Sequence, residues 1–305
     1  MNASSANVTV VLQYRDPFSK AVAKNLIVVV IGISINYINA GLIHTFCKHQ
    51  IFHMNPRYIL FIHLVINDMF QVTLSLCMFI ISYTIYKINA SVCCTFILMA
   101  LIMTENTPLN LACMAIECYI AICFPLRHAQ ICTIKRTLIL IGLIWTTTML
   151  SCLPDFFITL ATVPLDFFHS KIFCLRENVF ANPIILEKRD ITYIVLLVTV
   201  WTTVFYAYFQ ILSTAQTASK DAKKARNTVL LHGFQLLICM LAYVAPQLRD
   251  VLMKWFPQNS TDILFAYYIV IQVLPRSISP IIYGIRDKAF RGYLKKHICG
   301  TVSNK

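Results

Sequence analysis

Seven stretches of this chain are each apolar enough, over about 20 residues or more, to cross the hydrocarbon of a bilayer. They fall near residues 25–46, 57–83, 92–124, 133–160, 189–213, 222–250 and 262–284. In lipid a backbone finds no water, so each stretch must satisfy its amides within its own helix. The composition agrees: 58% of residues are hydrophobic, 13% are charged, and mean hydropathy is +0.69. Soluble chains carry roughly a quarter charged residues. The expected fold is therefore an all-α membrane protein, a single bundle of seven transmembrane helices spanning residues 1–305. Ser, Thr, Asn and Tyr recur inside the stretches, as expected where helices bond across their interfaces.

The net charge of +13 is spread over polar links between apolar runs. That is the pattern of basic loops beside a membrane, not of a nucleic-acid surface, and no nucleic-acid partner is expected. With the N-terminus outside, the inner links hold fifteen Lys and Arg, from Lys48 to Lys305, against Asp221 and Asp287. The outer links hold ten Lys and Arg against eight acids. The bias favours that orientation at the plasma membrane, with the C-terminus cytoplasmic. Four glycosylation sequons point the same way: Asn2, Asn7, Asn89 and Asn259 all fall on the outer side. Residues 286–298 place Phe290, Leu294 and Ile298 against Arg291, Lys295 and Lys296, which reads as a short amphipathic helix on the lipid surface.

No glycine-rich phosphate loop, GxSxG or HExxH appears, and the eight His make no metal spacing with Cys or acids. Neither an enzyme nor a metal or cofactor site is expected. A transporter would call for inverted repeats and broken helices at midplane. Only Pro108 interrupts the third stretch.

The third stretch ends MAIECYIAICFPLRH (114–128). This resembles the odorant-receptor signature of the rhodopsin-like G protein-coupled receptors, carried by Met114, Ala115, Glu117, Tyr119, Ala121, Ile122, Cys123, Pro125, Leu126 and Arg127. KARNT (224–228) is similar to that family's entry into helix six, and SPIIYGIRDKAFR (279–291) to the close of helix seven. Asn36, Asp68 and Trp145 are similar to its marker residues on the first, second and fourth helices. The details look most like fish-type odorant receptors. Two departures stand out. Cys118 occupies the place of the family's arginine after the acidic residue, and Ser279 that of the helix-seven asparagine.

The resemblance implies a small-molecule odorant, bound among the third, fifth, sixth and seventh helices. On that geometry Leu101, Thr104, Glu105, Tyr193, Leu197, Met240, Tyr243, Tyr268 and Gln272 line the ligand site. It implies a disulfide from Cys93 to Cys174, with Cys94 a rival by one residue. It implies a heterotrimeric G protein, of the stimulatory olfactory type, on the cytoplasmic face. Glu117, Cys118, Tyr119, Arg127, Lys224 and Tyr283 would face it, with one of Tyr206 or Tyr208. Lys220, Lys223, Lys224 and Arg226 would meet that protein and anionic membrane lipid. Glu117 has Arg127 or Lys135 as nearby basic partners.

Charges inside spans are costly, so each calls for a partner or a role. Arg276 is expected to pair with Asp68, Glu105 or both, in a buried polar network with Asn36 and Ser279. The alternatives are a rhodopsin-like receptor for a lipid or peptide. An amine receptor is disfavoured by Ala100, where such receptors carry an aspartate.

Overall fold

The structure is a computed structural model. It describes residues 16–85, 87–215 and 251–277, with 230, 233–234, 237–238 and 248–249 from the sixth span. Asn2, Asn7, Lys224, Met240, Tyr243, Ser279, Tyr283 and the amphipathic segment 286–298 lie outside the described residues.

Five long apolar helices are in view: Phe18–Lys48, Pro56–Thr84, Ala90–Cys123, Ile134–Thr162 and Pro183–Ala215, the first five spans. At 1.5 Å per residue, helices of 29 to 34 residues run about 44 to 51 Å, longer than the roughly 30 Å of hydrocarbon. Residues 251–255 end the sixth span in helix, and a 3₁₀ turn at Pro257–Asn259 leads into the seventh span. The seventh begins as the α-helix Ser260–Tyr267, widens to a π-helical turn at Tyr268–Val273, then resumes over 274–277.

Local chemistry sets the helix starts. Asn55 caps the second span by accepting from the Arg57 amide at 3.0 Å, with Pro56 in the first turn where its missing N–H costs nothing. Thr133 does the same for the fourth span, accepting from the Arg136 amide at 3.3 Å. The fifth span begins at Pro183, ahead of its apolar stretch. In its charged first turns Lys188 pairs with Asp155 of the fourth span and Arg189 with Asp190, which lets the helix extend past the hydrophobic window.

The fifth span shows how each helix divides its faces. Val200, Val204, Ala207 and Ile211 repeat at helical spacing and are buried in the core cluster, on the side of the fifth span that packs against the third. Ile191, Ile194, Val195, Val198, Phe205 and Phe209 are exposed. An apolar stripe of that length has no place in water, and a hydrocarbon medium removes the difficulty.

Amides and hydroxyls stitch the buried faces together. Asn67 donates to the Met103 carbonyl and to Thr107 Oγ1, both at 3.0 Å, and Gln71 donates to Thr104 Oγ1 at 2.6 Å. Asn110 donates back to the Leu60 carbonyl at 3.1 Å. Asn36 reaches Thr73 Oγ1 at 2.9 Å, joining the first span to the second. Trp145 Nε1 donates to His63 Nε2 at 2.9 Å, joining the fourth to the second. Gly32 brings the first and second spans close: a Cβ there would stand 3.2 Å from a Leu76 methyl.

One end of the bundle is closed by a loop. The strands β1 (Ile88–Asn89) and β2 (Lys171–Ile172) pair antiparallel, and Cys93 bonds to Cys174 across 81 residues with Cα atoms 5.5 Å apart. Cys94 remains a buried thiol beside the bridge. At the same end Lys24 is buried between Asp16 (2.5 Å) and Asp262 (2.6 Å), and Thr261 donates to Asp16 at 2.9 Å. Those contacts tie the start of the first span to the start of the seventh. Asn89 and Asn259 are exposed at this end too.

A bridge closing a loop of that size stabilises a fold by about 4 kcal/mol through the unfolded chain. Cys93→Ser and Cys174→Ser are expected to lower surface expression to a similar, low level. The double variant should be no worse than either single one, as flow cytometry of tagged receptor would show.

Candidate functional site

Beneath the disulfide loop, charges from three spans and the loop converge. The short helix Arg176–Val179 follows Cys174, so the bridge fixes where Arg176 stands. Its guanidinium donates to the Tyr193 hydroxyl of the fifth span and lies over that ring, 5.7 Å from the centroid. It also stands 3.9 Å from Asp155 of the fourth span. Asp155 is 4% exposed and takes Lys188 of the fifth span, which donates to the Ser151 carbonyl as well. Glu105 enters from the third span. Its carboxyl group, on a residue only 6% exposed, faces Ser151 and Cys152, within the fields of Arg176 and Lys188. Asp155 sits one turn beyond Ser151 on the same helix face, which is why one cluster can hold both acids.

A second pair anchors the loop sideways. Glu177 accepts from Arg249 of the sixth span at 3.0 Å, and Arg249 lies 5.6 Å from the centre of the Tyr267 ring on the seventh. Burial pushes the Glu177 carboxyl upward, but the Arg249 charge and a backbone hydrogen bond outweigh it and hold the group below the usual carboxylate range.

This geometry sorts the expected ligand-site residues. Glu105 and Tyr193 are drawn together around Arg176, with Leu101 one turn from Glu105, packed in the apolar cluster of Cys94, Val179 and Phe180. Leu197 lies one turn from Tyr193, half-buried. Thr104 turns instead to the second span, through Gln71. Tyr268 packs on Phe79 at 4.7 Å in the seam of the first, second and seventh spans. The Gln272 carbonyl accepts from Arg276 at 2.9 Å. Sequence reading passed over Asp155, Arg176 and Lys188, because charges near span ends look like ordinary loop residues.

The expected pairing of Arg276 with Glu105 is corrected. Glu105 belongs to the cluster under the loop. Arg276 spends its Nη1 on the carbonyls of Ile271 (2.7 Å) and Gln272. The two carbonyls belong to the π-helical turn, so the guanidinium binds back onto the turn that precedes it. Asp68 is buried in the second span, and Asn36 is held by Thr73.

At the opposite end, Glu117 is buried and pairs at 3.1 Å with His128 of the short helix Pro125–Ile131. That contact replaces the expected partners Arg127, which is exposed, and Lys135. Cys118 is buried next to Glu117. Tyr119 meets Tyr206 edge-on, with ring centres 5.7 Å apart, so of the two candidate tyrosines Tyr206 is the one at its ring. Tyr208 packs against the core cluster nearby.

Residues 38–283 match the sequence model described as the 7 transmembrane receptor (rhodopsin family). The chain belongs to the rhodopsin family of seven-transmembrane receptors. It is 30% identical over 277 residues to Odorant receptor 131-2 of Danio rerio, covering 89% of this chain and 85% of that protein. It is 28% identical over 225 residues to Olfactory receptor 1078 of Rattus norvegicus, covering 69% of this chain and 64% of that one. Olfactory receptor 2T1 of Homo sapiens is 26% identical over 257 residues, covering 79% and 67%. The family accounts for seven spans where five are fully in view, and it is a family of receptors, not enzymes.

The Glu177 tie has a pH signature. Its carboxyl is depressed in the fold, so its stabilisation is present above the ordinary value of 4.5 and fades as pH falls through the lower folded value. The difference in thermal midpoint between the receptor and Glu177→Gln should stay constant from pH 7 to about 5 and shrink below 4.5. A scan of detergent-solubilised protein at several pH values would measure it.

Proposed function

We propose that this protein is an odorant receptor. It binds a small odorant inside the helix bundle, beneath the disulfide-tied loop, and activates a heterotrimeric G protein of the stimulatory, olfactory type. In this reading the disulfide end, with the N-terminus, Asn89 and Asn259, faces outside. The end with Glu117 and His128 faces the cytoplasm, and the basic run from Lys220 to Arg226 meets the G protein and anionic lipid.

The observation that carries this reading is the polar cluster of buried Glu105 with half-buried Tyr193, Arg176 and Lys188, set beside apolar walls. Polar groups that converge in an apolar, loop-covered setting suit a small molecule. The names of the relatives agree in naming odorant reception. The work required is a population shift: a ligand that binds one packing of the bundle better raises its share. In cells supplied with a stimulatory G protein, a panel of amino acids, bile acids, steroids and short alcohols should contain at least one compound that raises cAMP with dose. A receptor present at the surface but silent to every member, in cells where a control receptor responds, would contradict the reading.

The same reading gives the cytoplasmic end a task. Elsewhere in the family the arginine after the acidic residue latches the resting state; here Cys118 carries no charge to do so. Glu117 is held instead by His128, from the loop to the helix. Removing one such contact costs about 0.5–1.5 kcal/mol, a two- to tenfold change in a two-state balance. His128→Ala should therefore raise basal cAMP several-fold at equal surface level. An unchanged basal signal would remove the latch.

A further inference from the structure

The cluster under the loop holds two acids and two bases but makes only one close ion pair. Lys188 is committed to Asp155 and to the Ser151 carbonyl. Arg176 gives one nitrogen to the neutral Tyr193 hydroxyl and stands 3.9 Å from Asp155, at the outer limit of a contact. Glu105 has its carboxyl group against Ser151 and Cys152, with no Lys or Arg nitrogen within 4.0 Å among the described residues. A buried carboxylate and a half-used guanidinium thus share one site, feel each other's field and do not touch.

Charge balance selects what can join them. Two acids and two bases make the cluster neutral, and the neighbouring Glu177–Arg249 and Arg189–Asp190 pairs add no net charge. A simple amine would satisfy Glu105 and leave an uncompensated positive charge in a desolvated place. A simple carboxylate would satisfy Arg176 and leave a negative one. Either leaves one charge without a counterpart beside a buried carboxylate. A molecule that carries both charges meets both groups and keeps the site neutral. Its carboxylate suits the planar fork of Arg176, and its ammonium suits Glu105. Leu101, one turn from Glu105 in the cluster of Cys94 and Phe180, offers an apolar wall for the remainder.

We propose that the ligand is a small zwitterion of the α-amino-acid class, its ammonium on Glu105 and its carboxylate on Arg176. Tyr193 is then a positioning residue, holding the guanidinium from one side. This rests on the reading that the odorant binds beneath the disulfide loop, and it fixes the chemical class of that odorant.

The test uses the full receptor in lipid nanodiscs and reads ligand-induced shifts in the thermal midpoint. The probes are the neutral L-α-amino acids, each beside its N-acetyl derivative and its carboxamide, with uncharged alcohols and esters as a parallel set. At least one free amino acid should bind, and blocking either charge should weaken it about tenfold or more. Glu105→Gln should erase the gap between the free and N-acetyl forms. Arg176→Gln should erase the gap to the carboxamide. Where a variant fails to reach the cell surface, the comparison of derivatives on the unaltered receptor decides.

Blocked forms that bind as well as their parents would overturn the zwitterion, as would free binding unaltered in both variants. Uncharged odorants that bind while every amino acid fails would overturn it too, and would leave the odorant reading standing. If no compound of either set binds, both fall together.

Discussion

Hydrocarbon offers no hydrogen bond to a protein, and the organisation of this receptor follows from that single deprivation. Backbone groups close on themselves as helices, and several buried side-chain amides find partners on neighbouring helices. The seam from Asn67, Gln71 and Asn110 to the third span is the outcome, together with the Trp145–His63 bond. Because lipid is as apolar as leucine, such contacts and close packing hold the helices together in place of a hydrophobic force. Gly32 against Leu76 belongs to the same economy of close approach.

Charges concentrate at the two ends, where they meet loops. At one end the Cys93–Cys174 bridge fixes the start of the short helix Arg176–Val179, and two ion-pair groups hang from that helix. Arg176 reaches inward to the fourth and fifth spans, and Glu177 reaches sideways to the sixth. The loop is thus coupled to the spans that must rearrange if a ligand is to favour one packing over another. At the other end Glu117 is coupled to a loop through His128. The spans connect the ends as rigid rods, so a change in how they pack at one end is felt at the other.

The spans were legible because twenty apolar residues in a row admit few other fates. Their edges were less so. The charged residues from Glu187 to Asp190 lie beyond any hydrophobic window, yet they are helical because Asp155 and their own neighbours neutralise them. Glu105 was legible as a buried acid, but its surroundings were not: they come from a loop and two other spans, up to 83 residues away at Lys188. The contacts of Arg276 to carbonyls were not legible for the same reason, since nothing in a string of letters announces a π-helical turn. The bridge and the motif at Glu117 were legible through family resemblance. The partner of Glu117 was not, because His128 reaches it only once the chain turns at Pro125.

The central claim is that the chain crosses the membrane an odd number of times, with the loop-covered cluster and the Glu117 end on opposite sides. Epitope tags at the two termini test it most directly, stained in intact and then permeabilised cells. The account predicts an N-terminal tag visible on intact cells and a C-terminal tag visible only after permeabilisation. Both tags reachable from one side would contradict it.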